Sequence, residues 1–507
     1  MGRAIEHLSA DELPKVPFVL DGISARFIRE NRIVPLEFRD DVLSVLIADP
    51  QNRSAIDALN VAFASRLKIY TSDANMIEEY INRFYGKEAQ DFSKIIETIG
   101  ESELEYIQED EEDAERLKDI ASEAPIIRLV NLFITRAVEG RASDIHVEPY
   151  ENELKIRYRI DGILYDIETA PKRLQAAIIS RIKIMAKLNI AERRLPQDGR
   201  IRLRVNEKEI DLRVSSIPVM HGESVVMRIL DKQQIVIDLA RLGFPSDTLS
   251  TFHQLIGRPH GIILVTGPTG SGKTTTLYGA LDKINSPDKK IITVEDPVEY
   301  QIKGINQIQV KPQIGLHFNN TLRHIVRQDP DIIMIGEIRD LEAADIAIQA
   351  ALTGHLVFST LHTNDAPSAI TRLLDIGVEN FLLSSTIRGI LAQRLVRVIC
   401  PFCKEADLSA PSTEEFRALG IDSHAVLYRG GGCEKCSRTG YFGRMGIFEL
   451  LLVTDEIRKM IVQKADANQI RSAARQQGMK TLLEDGIRKV IEGRTTLGDV
   501  LRVTQEI

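Results

Sequence analysis

Residues 267–274 read GPTGSGKT and fit the spacing G-x-x-x-x-G-K-[ST]. Gly267, Gly270 and Gly272 let backbone N–H groups converge on phosphate oxygens, with Pro268, Thr269 and Ser271 completing the turn. Lys273 is then placed to reach the β- and γ-phosphates of ATP, and Thr274 to offer its hydroxyl to Mg2+. Thr275 follows in the same helical turn, whose N-terminal dipole favours the bound anion.

Two apolar runs end in acids that such chemistry requires. DPDIIMIGEIRD at 329–340 reads as a central strand ending in Glu337, which can hold Mg2+ through water or orient the attacking water. IITVEDPVEY at 291–300 reads as another strand, ending in Glu295 and Asp296 with Pro297 stopping the sheet. Glu295 is therefore a second candidate for water activation, and a turn acid is an equal reading of the residue taken alone. Gly336 stands where many ATPases carry a metal-binding Asp, so protein ligation of magnesium rests on Thr274. TGHLVFSTLHTNDA at 353–366 sets His355 and His362 around a strand-like core. A histidine there can contact the γ-phosphate or satisfy nearby backbone, and the residues alone favour the backbone.

A second chemistry is written in the cysteines. Cys400, Cys403, Cys433 and Cys436 are the only four in the sequence and form C-x2-C-x29-C-x2-C. Two such knuckles offer four thiolates to one tetrahedral Zn2+, with no ligand left over and no position for activated water, which makes the metal structural. Pro401 and the glycines at 430–432 supply the bends.

Stepping outward, 507 residues are enough for three or four domains. A net charge of -8 argues against a protein that coats nucleic acid, and 5% aromatic residues with no tryptophan leave little for base stacking. No apolar run approaches the roughly 18 residues of a membrane span, and the amino terminus lacks a signal-like core, so membrane contact is expected through a partner. A small α/β unit is expected at 21–85, with strands at 41–49 and 68–72 and a helix packing Met76, Ile77, Tyr80, Ile81 and Phe84. The stretch 101–119 holds ten carboxylates against two basic residues and reads as a solvated linker or exposed helix. From 121, a helix, hairpin strands with turns at 149–152 and 161–162, a second helix, the turn-rich RRLPQDGR and two further strands form a second α/β region ending near 231. From 240 the alternation of apolar strands and helices predicts a parallel sheet.

Together these segments resemble the secretion and pilus assembly ATPases, and within them the type II secretion motor. The resemblance rests on the phosphate loop, TVEDPVEY, IIMIGEIRD, TGHLVFSTLHTNDA and the tetracysteine insert followed by GRMGIFELL. It runs from about 120 to the end and more loosely before. It implies a multidomain α/β chain: a partner-docking domain at 1–90, an acidic linker at 91–120, a PAS-like α/β domain at 121–232 that closes over nucleotide, and a RecA-like P-loop ATPase domain at 240–507 with its zinc insert at about 396–444. It places Glu295 in an acidic box, Glu337 at the end of the Walker B strand, and His355 and His362 in a histidine box near the nucleotide. It implies a homo-oligomeric ring, usually of six, in which Arg213, Arg228, Arg323, Arg327 and Arg339 stabilise charge on the γ-phosphate. The implied function is cytoplasmic ATP hydrolysis that drives pseudopilus assembly and export of folded proteins across the outer membrane. The first domain would dock on the cytoplasmic part of an inner-membrane secretion component, with an inner-membrane platform protein as a further partner. The alternative is the type IV pilus extension motor.

Overall fold

Along 145–149 and again along 154–160 every second side chain is apolar, so pairing the strands buries Ile145, Val147, Leu154, Ile156 and Tyr158 on one face and sets Glu148, Lys155, Arg157 and Arg159 on the other. In the computed structural model this patterning produces the sheet it predicts. Described are residues 25–85 and 114–504, except 40, 64–65, 206–207, 232–237, 408–420 and 423–424, together with 6–8, 13, 18, 23 and 96. The chain divides into two compact units, Met1–Gln233 and Gln234–Ile507.

The first unit contains two sheets. β1 (Glu6–His7), β2 (Ile33–Arg39), β3 (Val42–Ile47) and β4 (Arg66–Thr71) are ordered β1-β4-β3-β2. The helix Ala74–Tyr85 turns Ile77, Tyr80 and Ile81 into this core, as the 3.6-residue period requires, while the side chain of Phe84 lies outside the described residues. β5 (Ala142–Pro149), β6 (Glu153–Ile160), β7 (Ile163–Pro171), β8 (Gln197–Val205), β9 (Lys208–Val219) and β10 (Gly222–Asp231) form an antiparallel sheet ordered β7-β6-β5-β10-β9-β8. The helices Ala124–Glu139 and Gln175–Met185 bury Phe133, Ile178 and Ile182 in the core shared with this sheet.

Two expectations change here. RRLPQDGR is turn-like only to Pro196; Asp198 and Gly199 lie inside edge strand β8, opposite Ser215 and Val214. Gly199 serves packing rather than a turn, since a Cβ there would lie 2.6 Å from the Ala186 carbonyl oxygen. The acidic run lies outside the described residues up to 113. Beyond that the helix Ala114–Ala121 buries Leu117, Ile120 and Ala121, so the end of the run is amphipathic and packed rather than solvated.

In the second unit, β11 (Gly261–Thr266), β12 (Ile291–Glu295), β13 (Asn306–Gln309), β14 (Ile332–Ile335), β15 (Leu356–Leu361), β16 (Ile387–Ile399) and β19 (Tyr441–Leu452) make one sheet ordered β13-β12-β14-β15-β11-β16-β19. All neighbours are parallel except β16 and β19. Every residue of β11, β12, β14 and β15 is buried, which is why these strands read as unbroken apolar runs: apolar cores cover both faces. Each fully buried Ile or Leu contributes roughly 1.5–3 kcal/mol of burial energy to holding the strand ends in place. Short strands β17 (Lys404–Ala406) and β18 (Tyr428–Gly430) pair in the insert between β16 and β19. Among the described residues no helix is long and apolar enough to cross a membrane.

Candidate active site

Parallel pairing sets the ends of four strands along one edge. Thr266 lies opposite Leu361, Ile335 opposite Ser359, and Val294 opposite Ile335. The segments that follow, beginning at Gly267, Asp296, Gly336 and His362, leave the sheet side by side, where open α/β sheets bind ligands.

Gly267, Gly270 and Gly272 have φ of 150°, 80° and 85°, values that side chains with a Cβ rarely adopt. Space adds a second constraint. A Cβ on Gly267 would lie 2.5 Å from the Gln393 carbonyl oxygen, and one on Gly272 would lie 2.7 Å from Gln393 Nε2. Gln393, on β16, is thus the floor of the loop, and its Oε1 accepts a hydrogen bond from Thr276 Oγ1 at 2.6 Å. Lys273 is buried and donates from Nζ to the carbonyls of Gly267 at 2.6 Å and Pro268 at 3.0 Å. Burial pulls its pKa down to about 8, the Glu337 charge opposing and Arg394 adding to the drop. Among the described residues the buried Ser271 Oγ has no hydrogen-bond partner. A desolvated ammonium, an unused hydroxyl and loop N–H groups at a helix start form a cradle for phosphate. Pro268, Thr269 and Gly270 are exposed at its rim, and Thr274 and Thr275 are half-buried in the first turn of the helix Lys273–Ile284.

The two acids differ in their surroundings. Glu337 lies two residues past β14, one Oε bonded to Arg339 and the other 3.0 Å from His362 Nε2. Burial alone would raise its pKa, but the hydrogen bonds from Arg339 and His362 outweigh it and hold the carboxyl below its usual value. Glu295 is buried at the end of β12, accepting from Tyr278 OH on one oxygen, and from Thr293 Oγ1 at 2.6 Å and Gln307 Nε2 at 3.2 Å on the other. Tyr300 packs edge-on against Tyr278, closing this pocket. Tyr278 and Gln307 do not stand out in the sequence, because they meet Glu295 only across the fold, while Thr293 sits two residues before it on the same strand. Gly336 donates to the Val294 carbonyl at 2.8 Å, and a Cβ there would lie 3.1 Å from that same oxygen. The close approach of β12 favours glycine where other ATPases place Asp.

The structure separates other residues that the sequence grouped. His355 precedes β15 at the sheet edge opposite the loop, where its Nδ1 lies 2.8 Å from the Ala350 carbonyl and 3.1 Å from Thr353 Oγ1. Within the chain it satisfies backbone, and only His362 joins the phosphate-loop edge. Arg323 pairs with Glu342 at 2.5 Å, and Arg327 is exposed on the next turn. Arg213 and Arg228, in the first unit, are direct cross-strand neighbours on β9 and β10, with Arg200 opposite Arg213 and Asp144 opposite Arg228. Asp144 accepts from Arg228 Nε at 2.9 Å and faces Arg159 Nε at 3.8 Å. A row of arginines side by side is unfavourable unless an anion shares it.

This edge has the parts of a nucleoside-triphosphate site, and comparison supplies the family. A model of the type II/IV secretion system proteins matches residues 119–502, about three quarters of the chain, and a model of the MshEN domain matches residues 3–91. The chain belongs to the type II/IV secretion system protein family. Type II secretion system protein E of Xanthomonas campestris pv. campestris is 55% identical, covering 98% of this chain and 87% of the relative. The type IV pilus assembly ATPase PilB of Myxococcus xanthus is 43% identical, over 96% of this chain and 86% of its own. The X-ray structure of the Legionella pneumophila ATPase DotB shares the fold, with a TM-score of 0.54 at 22% identity, covering 74% of this chain and 94% of that one. The resemblance to type II secretion ATPases read from the motifs is therefore shown.

This secretion-family chain also gathers its cysteines. The four Sγ atoms lie within 4.8 Å of one another, with Cys400–Cys433 and Cys403–Cys436 at 3.9 Å and Cys433–Cys436 at 3.7 Å. A tetrahedral zinc with Zn–S of about 2.3 Å needs sulfurs about 3.8 Å apart. The Cys433 and Gly440 N–H groups donate to Cys436 Sγ at 3.1 and 3.3 Å, as thiolate ligands commonly receive. Gly430 and Gly440 cross so closely that a Cβ on Gly430 would overlap the Gly440 carbonyl oxygen, which sets the spacing between the knuckles.

Proposed function

We propose that this chain is the ATP-hydrolysing motor of a type II secretion system, working as a ring of identical subunits, usually six, to drive pseudopilus assembly and export of folded proteins. The observation that carries the reading is Glu337, bonded to His362 and Arg339 at the edge where Lys273 curls over the phosphate loop. The 55% identity to a type II secretion protein E, against 43% to PilB, favours secretion over pilus extension.

In this reading Lys273 releases the loop carbonyls and turns to the β- and γ-phosphates, while Ser271 and the loop N–H groups bind phosphate oxygens. Thr274 would hold Mg2+, which would supply neutralisation of the charge developing on the phosphates. Glu337 and Glu295 are the two carboxylates that can orient water. Arg339 and His362 together keep Glu337 ionised, and His362 aims it. Arg213 and Arg228 act as arginine fingers in the assembled ring, assisted by Arg323 and Arg327. Cys400, Cys403, Cys433 and Cys436 hold a structural Zn2+ that folds the insert. The chain acts in the cytoplasm and meets the inner membrane through its partners: the region before 91 docks on the cytoplasmic domain of an inner-membrane component, and a platform protein receives the motor's work.

The test is turnover by purified chain. Lys273→Ala should abolish ATP hydrolysis with an unchanged circular dichroism spectrum, and persisting turnover would sink the assignment. Glu295→Gln and Glu337→Gln, assayed in the oligomer, separate the two carboxylates, since the residue that activates water loses kcat with nucleotide affinity retained.

A further inference from the structure

Arg394 follows Gln393 on β16 and is 8% exposed, yet among the described residues no carboxylate lies within 4.0 Å of its guanidinium. Its hydrogen bonds go to amide oxygens: Nη1 to the Gln393 carbonyl at 3.2 Å, and Nη2 to the Asn364 carbonyl at 2.8 Å and Asn364 Oδ1 at 3.2 Å. Burying a cation with no carboxylate in contact, only the more distant charges of Asp365 and Glu449, is costly, so the position needs a reason. The same guanidinium lies against the phosphate loop, 3.1 Å from where a Cβ on Gly267 would stand.

The bonds of Arg394 fit a series. The three residues after His362 are each tied to a different element. Thr363 donates from its N–H to Thr266 Oγ1 at 2.9 Å, at the end of β11. Asn364 is held by Arg394 from β16, and Asp365 pairs with Arg471 at 2.5 Å while capping the helix Ala366–Asp375. Of the three ties, the middle one alone joins the His362 segment to the strand that floors the phosphate loop.

We infer that Arg394 is a positioning residue: its planar fork holds the Asn364 segment at a fixed height over Gly267, and so aims His362 at Glu337. A lysine cannot replace it, having a single nitrogen where the fork spans three amide oxygens. The inference rests on the reading that Glu337 and His362 serve hydrolysis.

The test is a double-mutant cycle on full-length protein, with kcat from steady-state turnover and Kd from a fluorescent ATP analogue. Arg394→Gln should lower kcat by about 10- to 100-fold, as small misplacements at a reacting centre do, with Kd within about threefold. Arg394→Lys should lose nearly as much, and full activity in it would overturn the inference by showing that charge suffices. In a His362→Ala background, Arg394→Gln should cost less than about twofold further, because the two act through one geometry. If His362→Ala leaves kcat unchanged, the reading of the site itself fails. If it lowers kcat and Arg394→Gln multiplies the loss, that reading stands and the positioning role falls. An equal loss of binding and turnover would make Arg394 a phosphate ligand and would likewise overturn it. Should Arg394→Gln not fold, Arg394→Lys, which keeps the charge and removes the fork, runs the same cycle with the same outcomes.

Discussion

Lys273 pays for its position, and pH can expose the cost. Its pKa falls from 10.5 to about 8 through burial. A drop of that size corresponds to about 3 kcal/mol of stability forgone while the folded chain keeps the lysine charged. The sign follows from the folded pKa lying below the unfolded one: the penalty is fully present below about pH 8 and is relieved as pH rises toward about 10.5. A triphosphate reverses this, because its charge holds the ammonium protonated. At about pH 9 roughly nine in ten unliganded chains carry neutral Lys273, against about one in four at pH 7.5, so the apparent Kd for ATP should weaken about eightfold between them. The phosphate's own titration lies near pH 6 and contributes little there. The assay is titration with a fluorescent ATP analogue across this range, with calorimetry in two buffers of different ionisation heat to count protons. Binding at about pH 9 should take up close to one proton per site. Lys273→Arg, if it binds at all, should show a flat profile, its charge being permanent. A flat profile in the unaltered chain, with no proton uptake, would refute the reasoning, since Lys273 would then be fully charged before nucleotide arrives.

Other consequences are open to direct measurement. Metal analysis of purified protein should find about one zinc per chain, and a folded, metal-free insert would contradict the structural-zinc reading. Gly430→Ala should destabilise the insert by about 1–3 kcal/mol through the clash with Gly440, visible as an earlier zinc release on titration with chelator; unchanged release would count against the close crossing. Replacing Arg213 or Arg228 with Ala should lower kcat by at least about 100-fold while changing ATP affinity far less. Equal losses in both would remove the finger role.

What could be read from the sequence was local. The phosphate loop, the two cysteine knuckles and the buried strands each announce themselves within a dozen residues, because spacing along the chain alone determines which groups meet. The acids at 295 and 337 were visible as strand ends, but their different surroundings were not. Tyr278 and Gln307 reach Glu295 from a helix and a neighbouring strand, and no sequence pattern joins them to it. Gln393 and Arg394 escaped notice for the same reason: they sit in an ordinary apolar strand more than a hundred residues from the loop they support. His355 and His362 show the converse. They looked like one motif, yet seven residues of extended chain span roughly 23 Å, enough to carry one histidine to the far edge of the sheet. Asp-Gly at 198–199 misled in a smaller way, since a turn signal yields when a glycine is wanted for close packing inside a strand.

Strand β16 serves two sites, one at its middle and one just past its end. Gln393 and Arg394 floor the phosphate loop, and Cys400 enters the tetracysteine cluster six residues later. At about 3.3 Å per residue that is roughly 20 Å of chain, paired along it with β19 through a register shift between Arg397 and Ile399, the ladder to β11 having ended at Ala392. Such a strand resists compression and acts as a strut. A shift of the loop floor would therefore be carried along this strand toward the root of the insert, which links the cysteine cluster mechanically to the phosphate loop.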